Sequence, residues 1–358
     1  MTISHFKTNR QSSQGGFTLI ELLTAITILI LLLLMVFSMV DQTQRTYVRA
    51  SEEANQFREA RLAFESISRR LRQATLNTYW DYKFGSNQRP TEYIRQSELH
   101  FVMGETSRLA KRPATVYPGH AVFFQAPFGY VIEKEFRQFT ELVNAWGFFV
   151  EFGDDRETLP AFLRGRVSPN SRYRLKEFRL PSEEFEIYET ADERRDAQSS
   201  NDNKWFSQYL GGGAKSLAFK RTVAENILTL VLLPQKATPR EGASSSDTFY
   251  QNGYSYDSRT GLGQDLSESS KEDNLHLLPS LVRVTMIAID EKTARREETG
   301  SNPPGLIPSG LFKQPKSLER DLRLIEEDFN DRRINHRIFS TTVALREAGW
   351  IRRDKRDE

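Results

Sequence analysis

The chain has 358 residues, which is enough for a buried core and for one or two domains. Its 50 Lys and Arg residues nearly balance 48 Asp and Glu residues, so the formal net charge of +2 gives no indication of nucleic-acid binding. The sequence contains no cysteine, which excludes disulfide bonds, thiol catalysis and cysteine-ligated metals.

A long apolar run near the N-terminus predicts a membrane-spanning helix over residues 17–40. The run reads FTLIELLTAITILILLLLMVFSMV and contains one charged residue, Glu21. At about 1.5 Å per residue it is long enough to cross a hydrocarbon core of roughly 30 Å. Lys7 and Arg10 precede the run and Asp41 is the first charge after it, so the positive-inside rule places the N-terminus in the cytoplasm and the remaining chain outside.

The helical pattern continues beyond the apolar run, over residues 41–78. Apolar residues recur at spacings of three and four, while arginines fill the other faces. The apolar positions are Tyr47, Ala50, Ala54, Phe57, Ala60, Phe64, Ile67, Leu71 and Ala74. No Pro or Gly interrupts residues 17–82, so the sequence predicts one continuous helix. Its amphipathic stripe either packs on a globular head or forms a coiled-coil seam, and we favour the head.

Residues 79–346 are predicted to form an α+β head in which an antiparallel β-sheet packs beside the long helix. Short β-prone runs separated by Pro, Gly and polar residues carry this prediction. They lie at residues 99–103, 121–126, 146–152, 226–234, 281–290 and 336–346. A short amphipathic helix is expected over residues 318–329, where apolar residues line one side.

Two long tracts of the head, residues 190–215 and 237–274, are poor in aliphatic residues. They are expected to be surface loops or disordered insertions. The aromatic sequence FYQNGYSY at residues 249–256 is compatible with an adhesive surface or with a half-buried loop. The final residues, 347–358, are predicted to be a charged, solvated tail.

No constellation in the sequence indicates catalysis, so we predict that the protein is not an enzyme. The histidines of the head, His100, His120, His276 and His336, lack metal-ligand spacing and are expected to be structural or exposed. The sequence LGGGAKS is not a phosphate-binding loop because Ala214 separates the last glycine from the lysine. No G-x-S-x-G motif is present.

The N-terminal segment resembles the class III signal of type IV prepilins and type II secretion pseudopilins. The matching sequence is QSSQGG followed directly by FTLIELLTAITIL. The resemblance implies that a prepilin peptidase cleaves after Gly16 and that the new N-terminal residue, Phe17, is N-methylated. Glu21 then becomes the fifth residue of the mature chain.

Glu21 is the only carboxylate in the apolar run, and a charge there needs a partner because burying it in lipid is costly. The resemblance implies that this partner is the N-terminal amine of Phe17 in a neighbouring subunit. Such an assembly salt bridge would penalise wrong axial registers, which leave a buried charge alone. The alternative is that Glu21 reaches the membrane interface and is favoured there by the helix dipole.

The end of the head resembles the C-terminal part of J-type minor pseudopilins, through LPSLVRVTMIAID and HRIFSTTVALREAGW. The size of the chain and the run AENILTLVLLP are most similar to the Verru_Chthon cassette protein C family. Some pseudopilins bind calcium in loops of the head, and Asp257, Asp265 and Glu268 are weak candidates for its ligands. Otherwise no metal or cofactor is expected.

The resemblance implies a minor pilin or pseudopilin subunit of a type IV pilus-like or type II secretion filament, in its initiation or tip complex. Its expected partners are the prepilin peptidase, other pilin-like subunits, the inner-membrane assembly platform and membrane lipid. It would sit in the bacterial inner membrane, with the leader, residues 1–16, in the cytoplasm and the head in the periplasm. The alternative is a singly anchored envelope protein with a binding or adhesive head that never polymerises.

Overall fold

The computed structural model describes residues 18–85, 87–156, 159–160, 162–185, 203–211, 214–236, 249–250, 253–259, 275–297, 302–308 and 310–349. The chain forms two compact units, Met1–Asn55 and Gln56–Glu358. The first contains a long apolar helix, and the second contains antiparallel β-sheets with shorter helices. The predicted α+β fold class is therefore confirmed.

Helix α1 (Leu19–Gln56) has 38 residues and is about 57 Å long. Its segment Leu19–Tyr47 contains an 18-residue stretch with a mean hydropathy of 2.9 and is long and apolar enough to cross a membrane. Between Leu19 and Val40, large apolar side chains cover all sides of the helix and are 46–81% exposed. A helix that is apolar all round suits a lipid environment better than water.

The sequence predicted one helix without a break to residue 78. The structure instead has two helices divided at Phe57, and the second ends at Leu71. Helix α2 (Arg58–Leu71) begins after Phe57, whose backbone (φ −103°, ψ 9°) departs from helical geometry. The Phe57 side chain is partly buried against the core of the head. One face of α2 is buried in that core, through Ala60, Ala63, Phe64, Ile67 and Leu71, as its amphipathic pattern predicted.

The other elements follow in the head. The described helices are α3 (Thr106–Ala110), α4 (Lys204–Ser207), α5 (Ala214–Phe219), α6 (Glu291–Arg296) and α7 (Leu318–Asp331). The strands are β1 (Tyr79–Phe84), β2 (Pro90–Gln96), β3 (Val102–Glu105), β4 (His120–Pro127), β5 (Val143–Gly153), β6 (Arg172–Leu180), β7 (Lys220–Glu225), β8 (Ile227–Gln235), β9 (Tyr256–Asp257), β10 (Leu281–Ile289) and β11 (His336–Ala344).

These strands form three sheets in which every pairing is antiparallel. The largest has the order β7-β6-β5-β4-β3-β9, and a second has the order β11-β10-β8. Strands β1 and β2 form a two-stranded hairpin. The six β-prone runs and the helix predicted over residues 318–329 all correspond to observed elements.

Strand β8 is buried on both faces of the three-stranded sheet, which explains its predominantly apolar sequence, ILTLVLLPQ. One face joins a core shared with the six-stranded sheet and α2, through residues such as Leu230, Leu232 and Val284. The other face is covered by α7, whose Leu322, Ile325 and Phe329 pack with Val231, Leu233, Ile287 and Ile289. A strand between two apolar layers has no solvent face and needs no polar alternation.

The tracts expected to be surface loops contribute side chains to the core, so that expectation is wrong for their described parts. Trp205 and Phe206 of α4 are buried, and the Phe206 ring stacks on Phe123 of β4 at 4.0 Å. In the aromatic sequence of residues 249–256, Tyr250, Tyr254 and Tyr256 are buried as well. That cluster is therefore part of the core and does not form an adhesive surface.

The start of the predicted charged tail is also attached to the head. Residues Arg346–Gly349 form a short 3-10 helix. The carboxylate of Glu347 accepts a hydrogen bond from the Thr75 hydroxyl and, at 3.3 Å, one from the Leu76 N–H, just beyond the end of α2. Glu347 therefore ties the last described turn to the C-terminal end of α2.

Candidate processing and assembly segment

The N-terminal end of α1 is closed by a reciprocal pair of hydrogen bonds between Thr18 and Glu21. The Thr18 N–H and hydroxyl each donate to Glu21 Oε2 at 3.0 Å, and the Glu21 N–H donates to Thr18 Oγ1 at 3.3 Å. This arrangement is a capping box, in which the first and fourth residues satisfy each other's free N–H groups. The carboxylate of Glu21 is thus held at the end of its own helix, where the helix dipole favours negative charge.

From the sequence, Glu21 is assigned a role in assembly and Thr18 is assigned none. The signal was present, because Thr-x-x-Glu directly before an apolar run is the sequence signature of a capping box. The structure therefore adds an intramolecular partner for the carboxylate. The predicted intermolecular salt bridge to Phe17 remains a prediction, since it needs a second subunit.

Five hydroxyl groups in the described part of α1 donate to carbonyl oxygens of the helix itself. Thr24, Thr27 and Ser38 donate to carbonyl oxygens three or four residues earlier, at 2.7–3.0 Å. Thr43 and Thr46 do the same nearer the end of the apolar segment. Hydrocarbon offers no hydrogen-bond partner, so internal bonding of these hydroxyls makes the helix compatible with lipid.

Gly16 and Phe17, the predicted cleavage and N-methylation residues, lie outside the described residues. Their assignment rests on their position immediately before the capping box and the apolar helix. Cleavage after Gly16 would leave Phe17 as the residue that precedes Thr18 and Glu21 in the mature chain.

Calcium binding also remains a prediction. Asp265 and Glu268 lie outside the described residues, and Asp257 lies at the end of β9. One oxygen of Asp257 is 2.9 Å from His100 Nε2 and accepts the Arg259 N–H at 2.9 Å. Within the described part of the chain, no group of three or more His, Asp or Glu side chains could hold a metal ion.

The two buried histidines occupy structural positions. The Trp205 indole N–H donates to His100 Nδ1 at 3.1 Å, while His100 Nε2 faces Asp257. His120 is fully buried, stacks on the Tyr254 ring at 4.9 Å and accepts the Leu232 N–H at Nδ1. Both rings thus connect different parts of the head instead of converging on a reactive centre.

His120 gives a pH dependence of stability. Burial lowers the pKa of His120 from 6.5 to about 4. The unfolded chain therefore binds a proton between pH 6.5 and pH 4 that the folded head does not bind, so acidification favours unfolding. We expect the free energy of unfolding to fall by about 2 kcal/mol between pH 7 and pH 4.5 because of this residue.

The pH effect is measured by urea unfolding of the full chain in detergent, followed by tryptophan fluorescence. His120→Gln retains an acceptor for the Leu232 N–H but does not titrate, so its loss of stability on acidification should be about 2 kcal/mol smaller. An equal acid sensitivity of both chains would contradict the assignment.

The N-terminal segment matches a known family model. A family model described as the prokaryotic N-terminal methylation motif matches residues 11–37. No curated protein and no solved structure matches the chain. The matched segment contains the predicted cleavage residues, the capping box and the first half of α1.

The motif implies processing by a prepilin peptidase and association with other pilins, and it suggests a structural, non-enzymatic role. The apolar helix that follows it is consistent with a single membrane anchor. Together, the methylation motif and the long apolar helix indicate a type IV pilin-like or pseudopilin-type protein.

Proposed function

We propose that this chain is a minor pilin or minor pseudopilin subunit, cleaved after Gly16 and assembled into a type IV pilus-like or type II secretion filament. Before assembly it resides in the inner membrane, with its head in the periplasm. The observation that carries the proposal is the methylation motif at residues 11–37, which continues directly into an apolar helix of membrane-spanning length.

Assembly, and not catalysis, is the proposed activity. The apolar side chains of α1 between Leu19 and Val40 are exposed in the single chain and would be buried against the helices of neighbouring subunits. Glu21 would set the axial register by pairing with the N-terminal amine of the next subunit. In the single chain, Thr18 supplies hydrogen bonds to the same carboxylate until that partner arrives.

The head would determine which subunits are neighbours. We place it in an initiation or tip complex, through contacts with other minor subunits and with the inner-membrane assembly platform. The J-type resemblance and the likeness to Verru_Chthon cassette protein C support this placement. The head also keeps its apolar groups well covered by two sheets and two amphipathic helices, as a stable module on an anchored stalk requires.

The proposal predicts that Glu21→Ala blocks assembly while processing continues. The full chain is produced in cells with a prepilin peptidase and companion pilin-like subunits, and filaments are sheared from the surface. We expect at least about tenfold less Glu21→Ala than unaltered chain in the filament fraction, because the variant has no charge to pair with the amine.

Two variants separate charge from other effects. Glu21→Gln retains an oxygen that can accept from Thr18 but lacks the charge, so it should fail like Glu21→Ala. Asp41→Ala removes an exposed carboxylate of the same helix that pairs with Arg45, and it should assemble normally. Normal incorporation of Glu21→Ala would overturn the role of Glu21. An unaltered chain that is never found in filaments would favour the singly anchored binding protein.

A further inference from the structure

The hairpin arm, residues 79–96, is a two-stranded sheet formed by β1 and β2. In the part of the chain that the structure describes, these strands pair with each other and with no third strand. An isolated two-stranded hairpin is only marginally stable in water. The edge of β1 that faces away from β2 carries backbone N–H and C=O groups to which another strand could hydrogen-bond.

One face of the hairpin arm is aromatic and exposed. Trp80, Tyr82 and Phe84 alternate along β1, and Tyr93 lies opposite Tyr82 on β2. These four side chains are 45–62% exposed. The Tyr82 and Tyr93 rings lie 4.6 Å apart, and their hydroxyls share a hydrogen bond of 2.8 Å. The aromatic face is thus preorganised, and Trp and Tyr are the side chains that most often anchor protein interfaces.

The middle of β1 carries a main-chain donor that is satisfied by a side chain. The Tyr82 N–H donates to Asp81 Oδ1 at 2.7 Å. Within the hairpin, Asp81 lies opposite Ile94, so its cross-strand neighbour is apolar. A partner strand that offered a carbonyl to Tyr82 and a cation to Asp81 would satisfy both groups at once.

We propose that β1 pairs antiparallel with β1 of a second copy of this chain, about a two-fold axis at Tyr82. In this register Trp80 lies opposite Phe84 of the other copy, and the two Tyr82 residues face each other. Asp81 lies opposite Lys83 on the other side of the ribbon. Aromatic pairs and opposite charges at directly opposed positions are the stabilising cross-strand combinations.

The charges of β1 select this register over its neighbours. If the two-fold axis lay at Asp81, the two Asp81 residues would be directly opposed. If it lay at Lys83, the two Lys83 residues would be directly opposed. Like charges at directly opposed positions are destabilising. The sequence YWDYKF is therefore self-complementary in only one of these three registers.

The size of the surface indicates a weak contact that depends on membrane anchoring. The exposed aromatic area of one arm is roughly 300–550 Å², since a fully buried aromatic side chain covers about 150–250 Å². A standard stable interface buries about 800 Å² per partner. Two copies anchored by α1 in one membrane have a raised effective concentration, which favours the pair there.

This pairing needs the membrane anchor but does not depend on assembly into a filament. A two-fold contact closes on itself and stops at two copies, whereas a filament needs a contact that repeats head to tail. The hairpin pair would therefore join two chains side by side and would not propagate a filament.

The absence of native cysteine allows a direct test by disulfide trapping. Full-length Tyr82→Cys chains are reconstituted at low density in lipid vesicles and oxidised. Opposed residues in the proposed pair have Cα atoms about 4.5–5.5 Å apart, within disulfide range, so a covalent dimer should form. Tyr93→Cys is the matched control, because it removes the same residue type from the same face of the arm. In the proposed pair, residue 93 of one copy lies about 14 Å from residue 93 of the other, too far for a disulfide.

We expect the Tyr82→Cys dimer to form at least about tenfold faster than the Tyr93→Cys dimer. In the Tyr82→Cys chain, Asp81→Lys or Lys83→Asp alone should slow the reaction, and both together should restore it. Both substitutions lie in β1, and restoration of trapping by the double swap distinguishes a change of register from misfolding. Equal rates of dimer formation for Tyr82→Cys and Tyr93→Cys would overturn the proposal. So would a double Asp81→Lys, Lys83→Asp variant that forms the dimer as slowly as the single variants.

Discussion

A Gly119→Ala chain is expected to lose about 4 kcal/mol or more of the free energy of unfolding of its head. Gly119 has a φ of +70°, and a Cβ at this position would lie 2.5 Å from the Leu230 carbonyl oxygen and 2.2 Å from Thr229 Oγ1. The Leu230 contact is with backbone of β8, which is fixed in the three-stranded sheet. The added methyl group therefore forces the two sheets apart in addition to straining the turn.

Gly165→Ala is the matched control for backbone strain alone. Gly165 also has a positive φ, +82°, but its Cβ would meet nothing within 4 Å. We expect this variant to lose only about 1 kcal/mol. Urea unfolding of both chains, followed by the fluorescence of the buried Trp146 and Trp205, makes the comparison. Equal losses in the two variants would show that the close approach at Gly119 is unimportant.

Glu177→Leu is expected to lower the free energy of unfolding by about 3 kcal/mol. Glu177 is buried in β6, where it accepts the Trp146 indole N–H at 2.9 Å and lies 3.3 Å from Arg70 of α2. The Arg70 guanidinium sits 4.2 Å above the Trp146 ring. Removing the carboxylate leaves the partly buried Arg70 cation without its counter-ion and the Trp146 indole N–H without its acceptor, which is the costly way to break such a pair.

Two further variants test this explanation. Arg70→Met removes the cation while Glu177 keeps its ion pair with Arg221, so we expect a smaller loss and a partial recovery when it is combined with Glu177→Leu. Glu65→Leu breaks the exposed Arg61–Glu65 pair of α2, the helix that carries Arg70. It should lower the free energy of unfolding by less than about 1 kcal/mol. A Glu177→Leu chain as stable as Glu65→Leu would contradict the account.

The parts of the fold that sequence could predict are those governed by local apolar patterns. The apolar segment of α1 follows from one long apolar run, and the buried face of α2 and helix α7 follow from 3.6-residue periodicity. Strands β8 and β10 follow from short, predominantly apolar runs. The methylation motif was visible because its residues are contiguous, and the matching family model covers the same segment.

Strand β6 was missed because its charges are buried in pairs that form only in the folded head. Its sequence RYRLKEFRL reads as polar, yet Arg174 is buried beside Glu225 of β7 at 2.9 Å. Glu177 is likewise neutralised by arginines from other elements. No local rule shows that a charged residue will meet its counter-ion from a distant strand.

The core aromatics at residues 205–206 and 250–256 were missed for a related reason. They lie in tracts dominated by Ser, Asp, Asn and Gly, whose average polarity hides single large side chains. Trp205 contacts His100, and Tyr256 packs on Phe101, both far away in sequence. The aromatic residues themselves were the available signal, because such large side chains rarely occur in polar tracts without a buried partner.

The break at Phe57 was not visible in the sequence either, since no Pro or Gly marks it. The helix ends there because the Phe57 side chain packs on the core of the head, a tertiary contact that overrides local helix propensity. Of the candidate site, the sequence singled out Glu21, which lies in the first turn of α1, while the Thr-x-x-Glu signature of its hydrogen bonds with Thr18 was overlooked.

The most direct test of the central claim is the intact mass and N-terminal sequence of the membrane-extracted chain, produced with and without a prepilin peptidase. We expect the peptidase to remove residues 1–16 and to leave an N-methylated Phe17, and we expect the full N-terminus in its absence. An N-terminus that is intact in both preparations, or a cut beyond residue 40, would contradict assignment to the pilin-like proteins.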